Sequence, residues 1–213
     1  MAKKDTEDQY NKLQVFAQHF VADELITIKL EDGCSFTVQK ALLVTASPYF
    51  AAALNGKFAE SSEKSLRLPG VTGPVFQQML HWICQAELVD ELSDPSEWQV
   101  MLVQLWFVAD MCMMPALANE PAMILDAGIG HERVEVETVS EIWKLAPADS
   151  NWRRYIVNEL RVDLDGDSHM TEELDILGRL PGFVGSLTHC TRAHGSNPDI
   201  DVEWSLPTLK EDL

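Results

Sequence analysis

A chain of 213 residues, 46% hydrophobic and 23% charged, has enough apolar side chains for a sizeable core, which excludes wholesale disorder. Its net charge of −18 and isoelectric point near 4.5 give a field that repels phosphate backbones and argue against direct nucleic-acid binding. The charge is evenly spread, with 8 basic and 17 acidic side chains in residues 1–130 and the same numbers in 131–213. No window reaches the roughly 18 uninterrupted apolar residues of a membrane span. The first ten residues lack the apolar core of a signal peptide, so a cytosolic or nuclear protein without a membrane segment is expected. Cys34, Cys84, Cys112 and Cys190 are scattered and form no Cys-x-x-Cys pair, which fits reduced thiols used in packing.

The elements follow in chain order. Leu13, Phe16, Ala17 and Phe20 recur at helical spacing within 6–21 and predict an amphipathic helix whose apolar stripe needs a cover. Ile26, Ile28 and Leu30, then Phe36 and Val38, alternate with polar residues on either side of Asp32 and Gly33, the pattern of a half-buried hairpin. Leu43, Ala46, Ser47, Phe50 and Leu54 predict one helix packed on that sheet and ended by Asn55 and Gly56, which tolerate left-handed backbone angles. A short strand is expected at 65–68, and Gly73 and Pro74 open a helix with Phe76, Met79, Leu80 and Ile83 on one face.

Asp94, Pro95 and Glu97 supply an N-cap, a proline at the first helical position and a carboxylate in the first turn. The helix they start, 98–114, is apolar on nearly every side and should be covered. Pro115 begins another, which Gly128 and Gly130 end, giving a boundary near residue 130. Beyond it, Val139, Ile142, Trp143 and Ala146 predict one helix, Trp152, Tyr155, Ile156 and Leu160 a second, and 171–179 a short third. The stretch 195–213 carries little to pack and reads as a mobile acidic tail.

Phe36, Val38, Lys40, Leu43, the run Ser47, Pro48, Tyr49 and Phe50, then Phe58, Glu60 to Ser62, Leu68 and Pro69, lie at spacings that together resemble a BTB/POZ domain. The resemblance continues through Val108, Ala109 and Asp110 and through Pro115, Ala116 and Leu117. Val139, Ile142, Trp143, Pro147, Trp152 and Arg153 are similar to the helical tail of short fungal BTB proteins. The resemblance implies an α+β fold, a small sheet covered by a cluster of helices and followed by an all-helical extension. The expected layout is an N-terminal amphipathic helix at 1–23, a BTB/POZ domain at 24–130, a helical extension at 131–194 and a tail at 195–213. The chain departs from the family where Gln39 replaces the usual histidine and Leu25 the usual aspartate, with Asp23 and Glu24 out of register. Cys84, Gln85 and Ala86 replace a tyrosine-threonine-glycine turn.

For chemistry the residues offer little. Asp163, Asp165 and Asp167 alternate like calcium ligands, but Ser168 and Leu174 stand where an EF-hand loop needs glycine and a bidentate glutamate, leaving a solvated acidic turn. His189, Cys190 and His194 lack a completing pair and read as neighbours in a loop, so no metal site is assigned. No Gly-x-Ser-x-Gly elbow, phosphate-binding glycine loop or His-Glu-x-x-His pair occurs, so no catalytic residue and no cofactor are expected.

Two interfaces are candidates instead. Leu13, Phe16, Ala17 and Phe20 form a possible dimer interface, because the family commonly pairs through that helix. No Lys or Arg occurs between Arg67 and Arg133, so Glu87, Asp90 and Glu91, with Trp106, form a candidate partner surface for a basic protein. Core packing is the competing reading of Trp98 and Trp106. The resemblance implies a non-catalytic adaptor that binds itself as a homodimer and other proteins, one family outcome being the bridging of a substrate to a cullin-3 ubiquitin ligase. The alternative is a transcription-associated oligomerisation protein that recruits corepressors without touching DNA, and an enzyme ranks last.

Overall fold

The computed structural model describes residues 24–56, 63–89, 94–129, 133–165 and 171–196. The amino-terminal helix expectation, including Leu13, Phe16, Ala17 and Phe20, lies outside these residues, as do Phe58, Glu60 to Ser62, Asp90, Glu91, Asp167 and the tail from 197 onward. The described residues contain three strands and nine helices, an α+β fold of a small sheet followed by helices. Contacts divide them into two compact units. The first comprises 24–89 and 108–114, the second 94–107 and 115–196.

The first unit holds the sheet. Strands β1 (Leu25–Leu30) and β2 (Ser35–Gln39) pair antiparallel with Ile28 opposite Phe36 and Ile26 opposite Val38. Gly33 in the turn takes φ +86°, which glycine adopts freely, and Asp32 Oδ1 accepts from the Cys34 N–H at 2.9 Å. Strand β3 (Ser65–Leu68) lies parallel to β1 on its other side, so the order is β2-β1-β3. Ile26, Ile28, Leu30, Val38, Leu66 and Leu68 are buried, as alternation requires of a sheet with one covered face.

A parallel neighbour needs a crossover, and helices α1 (Lys40–Ala46) and α2 (Pro48–Asn55) lie within it. The single helix expected across Leu43 to Leu54 is therefore two. Pro48 disfavours helical geometry in the residue before it, and Ser47 is extended at φ −146° and ψ 124°. Ser47 turns that break to use. It is 1% exposed, its Oγ accepts from the Phe50 N–H at 3.2 Å as an N-cap, and its hydroxyl donates to the Cys112 carbonyl at 2.6 Å. Helix α2 ends at Asn55 and Gly56 as expected, with Gly56 at φ −73° and so not using its left-handed freedom.

Helix α3 (Gly73–Gln85) buries Val75, Phe76 and Met79 and closes on Ala86 at φ +56°, a left-handed position that costs an alanine more than a glycine. Gly73 is needed at its start. A Cβ there would meet Cys34 Sγ at 3.2 Å and Asp32 Oδ2 at 3.3 Å, and the Gly73 N–H donates to that Oδ2 at 2.6 Å.

Helix α4 (Pro95–Met111) begins where expected, with Asp94 Oδ1 accepting from the Ser96 N–H at 2.9 Å. It stops three residues earlier than expected. Met113 is left-handed at φ +54°, and the Met114 N–H reaches back to the Ala109 carbonyl at 2.8 Å, closing the helix with a Schellman-type bond. Its apolar surround is buried, including Met101, Leu102, Val103, Leu105, Val108 and Ala109.

The second unit is all-helical, with α5 (Pro115–Ile129), α6 (Val136–Leu145), α7 (Asn151–Asp165), α8 (Thr171–Gly178) and α9 (Phe183–Ser196) joining α4 up to Phe107. This grouping differs from a cut near residue 130, because α4 and α5 are tied to the later helices by specific bonds. Gln99 Oε1 accepts from Thr138 Oγ1 at 2.8 Å and from the Glu135 N–H at 3.3 Å, and its amide donates to the Arg133 carbonyl at 3.3 Å. Tyr155 donates its hydroxyl to Asp126 Oδ1 at 2.8 Å. Trp143 packs on Phe183 at 5.3 Å between ring centroids, donates Nε1–H to the Pro181 carbonyl at 3.1 Å, and carries the Arg153 guanidinium 4.8 Å over its ring.

Candidate functional site

Among the described residues the sheet brings together an open face. Residues that alternate with the buried set point away from the core: Leu25, Thr27 and Lys29 on β1, Ser35, Thr37 and Gln39 on β2, Ser65 and Arg67 on β3. Register fixes who neighbours whom. Thr27 lies between Thr37 and Ser65, and Lys29 between Ser35 and Arg67. Leu25 is 55% exposed, a large apolar side chain that the chain leaves open at the end of β1.

Glu24 sits beside this face. Its Oε1 lies 2.9 Å from Lys64 Nζ and its Oε2 3.3 Å from Lys40 Nζ, and its carbonyl accepts from the Lys40 N–H at 2.8 Å. The Lys64 and then the Lys40 ammonium groups hold the Glu24 carboxyl below the usual carboxylate range. Glu24 is out of register with the usual aspartate, one residue before Leu25, yet its carboxylate pairs with Lys40 and Lys64 at the start of the sheet. Gln39 replaces histidine with an Oε1 that is buried and has no partner among the described residues. At the far end, Asp32 is held below its usual range by the Gly73 and Cys34 N–H groups, and Glu31 accepts from the Gly70 N–H.

The thiols are not equivalent packing groups. Cys112 is fully buried and pushed up to about 12, Cys84 and Cys190 are half-buried, and Cys34 is exposed, its thiol raised by the Asp32 carboxylate. Burial also raises Cys84 and Cys190. All four are thus shifted toward the neutral thiol. Among the described residues no three His, Cys, Asp or Glu side chains gather where a metal ion would be held. Asp163, considered as a calcium ligand, lies on α7 and accepts from the Val134 N–H at 2.7 Å. His189 and Cys190 lie on α9, not in a loop. That helix was missed because glycines and polar residues dilute its apolar spacing, although Phe183, Leu187 and Cys190 stand at i, i+4 and i+7.

Of the candidate partner surface, Glu87 is exposed and its carbonyl lies 3.0 Å from His81 Nδ1, whereas Asp90 and Glu91 lie outside the described residues. Trp106 is corrected. It is 6% exposed, with its ring edge-on to Trp152 at 5.1 Å and to Phe107 at 5.0 Å, so it builds the core of the second unit and presents no docking surface. Exposed carboxylates of the lysine-free stretch do appear at Asp94, Glu97 and Asp110.

A sheet open on one face and helices closed by apolar cores make the kind of chain that binds through its surfaces. The BTB/POZ domain family model matches residues 14–126, more than half of the chain, and the protein belongs to that family. BTB/POZ domains are in general interaction modules that associate with themselves and with other proteins. A protein-interaction role follows for this chain. Among the described residues no helix is long and apolar enough to cross a membrane.

Proposed function

We propose that the protein is a non-catalytic adaptor that bridges a substrate to a cullin-3 ubiquitin ligase. In family terms the BTB domain is 24–130 and the helical extension 131–194. The first docks the ligase, and the extension presents the substrate. Leu13, Phe16, Ala17 and Phe20 pair two copies, and Glu87, Asp90 and Glu91 meet a basic partner, without DNA contact. The observation that carries the reading is the BTB/POZ match over 14–126 followed by helices α6 to α9, which bury apolar residues of their own. That extension is no mere tail, since Trp152, Tyr155, Ile156, Leu160 and Leu177 are each at most 2% exposed.

Calorimetry of the full chain against the cullin-3 amino-terminal region is expected to give micromolar binding or tighter. Absence of binding heat at that concentration removes the ligase. Light scattering is expected to give a dimer mass that falls to a monomer mass in a Leu13→Asp, Phe16→Asp, Phe20→Asp variant. Nuclear enrichment with co-purified corepressors, in place of cullin-3, selects the alternative role in transcription.

A further inference from the structure

All four Lys and Arg residues described in the first unit, Lys29, Lys40, Lys64 and Arg67, belong to the sheet or the residues flanking its strands. Glu24 pairs with both Lys40 and Lys64. Lys29 and Arg67 are different. They are neighbours in the parallel register of β1 and β3, both exposed on the open face, and neither makes an ion pair among the described residues. Like charges side by side on a sheet repel, so the pair is not explained by stability. Glu31 and Asp32, in the adjoining turn, are spent on the Gly70, Gly73 and Cys34 N–H groups. Alongside the pair runs a row of hydroxyls, Thr37, Thr27 and Ser65, with Ser35 beside Lys29.

We propose that this open face docks an acidic polypeptide segment of a partner protein, with Lys29 and Arg67 binding its carboxylates. The argument is charge complementarity: in a chain of net charge −18, these two cations stand together without an anion among the described residues. Adjacent strands are about 4.8 Å apart, so one carboxylate reaches both side chains, and the hydroxyl row offers donors to the segment's carbonyls. Nucleic acid fits less well, because the rest of the chain repels a phosphate backbone. The proposal deepens the adaptor reading and rests on it only for the premise that this fold binds proteins. It names a partner chemistry opposite to that suited by Glu87, Asp90 and Glu91.

Fluorescence anisotropy of a labelled deca-glutamate peptide titrated with the full chain at about 50 mM salt, where the screening length is long, reads the site. The expected result is saturable binding that Lys29→Ala with Arg67→Ala weakens at least about tenfold, and that Lys144→Ala, an exposed cation on α6, leaves unchanged. Both residues are exposed, so the double variant is expected to melt no lower than the parent. Absence of binding, or equal binding by parent and double variant, overturns the proposal. Equally tight capture of a DNA oligonucleotide through the same two residues overturns the polypeptide assignment. A fall in light-scattering mass in the double variant overturns it in favour of a second copy of the chain. Cullin-3 calorimetry on the double variant separates the two readings, since its heat is expected to be unchanged.

Discussion

The two units bury their polar groups differently. In the first, the only polar residue buried as a whole among the described residues is Ser47, which caps a helix and ties it to the turn at Cys112, while Gln39 buries an unpartnered Oε1. In the second, Gln99 and Thr138 are buried and bonded across α4, α6 and the Arg133–Glu135 approach to α6. Arg133 extends that wiring to Glu173 on α8 at 2.9 Å and to Glu135 at 3.1 Å, and both carboxylates raise its guanidinium. The difference shows two ways of specifying a core. The sheet unit relies on alternation and register, whereas the helical unit adds polar contacts that fix which helix meets which.

Aromatic truncation is expected to have the largest effect and to be of similar size in both units. Phe50→Ala in the first and Trp152→Ala in the second should each cost about 3–5 kcal/mol in urea unfolding. A Trp152 effect below about 1 kcal/mol would show that the Trp106, Phe107 and Trp152 cluster does not hold the helical core. The polar comparison comes next. Gln99→Leu strands the Thr138 hydroxyl and the Glu135 N–H and should cost about 2–3 kcal/mol, against about 1–2 kcal/mol for Ser47→Ala. Equal losses would remove the distinction between the units.

Smaller gains are expected where side chains occupy left-handed backbone. Ala86→Gly, in the first unit, and Met113→Gly, at the end of α4, should each stabilise by up to about 1 kcal/mol in thermal melts.

The smallest effects come from pH and have opposite signs. Glu24 has a folded value below its unfolded 4.5, so its stabilisation is present above that value and lost as pH falls through the lower folded one. Glu159 is raised by burial, helped by Asp126 and Asp163 and opposed by a hydrogen bond from Asn158. Its charge therefore destabilises at neutral pH, a penalty removed as pH falls through the raised value. Chemical denaturation across pH 7 to 3 should show Glu24→Gln weakening and Glu159→Gln strengthening the fold at neutral pH. The Glu159 difference should vanish as its own raised value is passed, and the Glu24 difference only below 4.5. Same-sign effects would refute the assignment.

Sequence legibility followed the same divide. Alternation placed Ile26, Ile28, Leu30, Phe36 and Val38 on a hairpin, and the helical readings covered every described helix except α9, with α1 and α2 merged into one. Family spacings carried the interaction role. Local rules failed at Ser47, where a stripe that ran on through Phe50 hid a break set by the next proline, and at Trp106, where a ring off the main stripe of α4 meets Trp152 from α7.

The sequence by itself determined most element types, the apolar positions and the membership of a binding family, since each depends on residues close along the chain. Only the tertiary structure decided that Lys29 lies beside Arg67, that Glu24 bridges two lysines and that Gln99 anchors Thr138. Those pairings depend on a parallel crossover and on helix packing, which bring together residues whose partners no local spacing encodes.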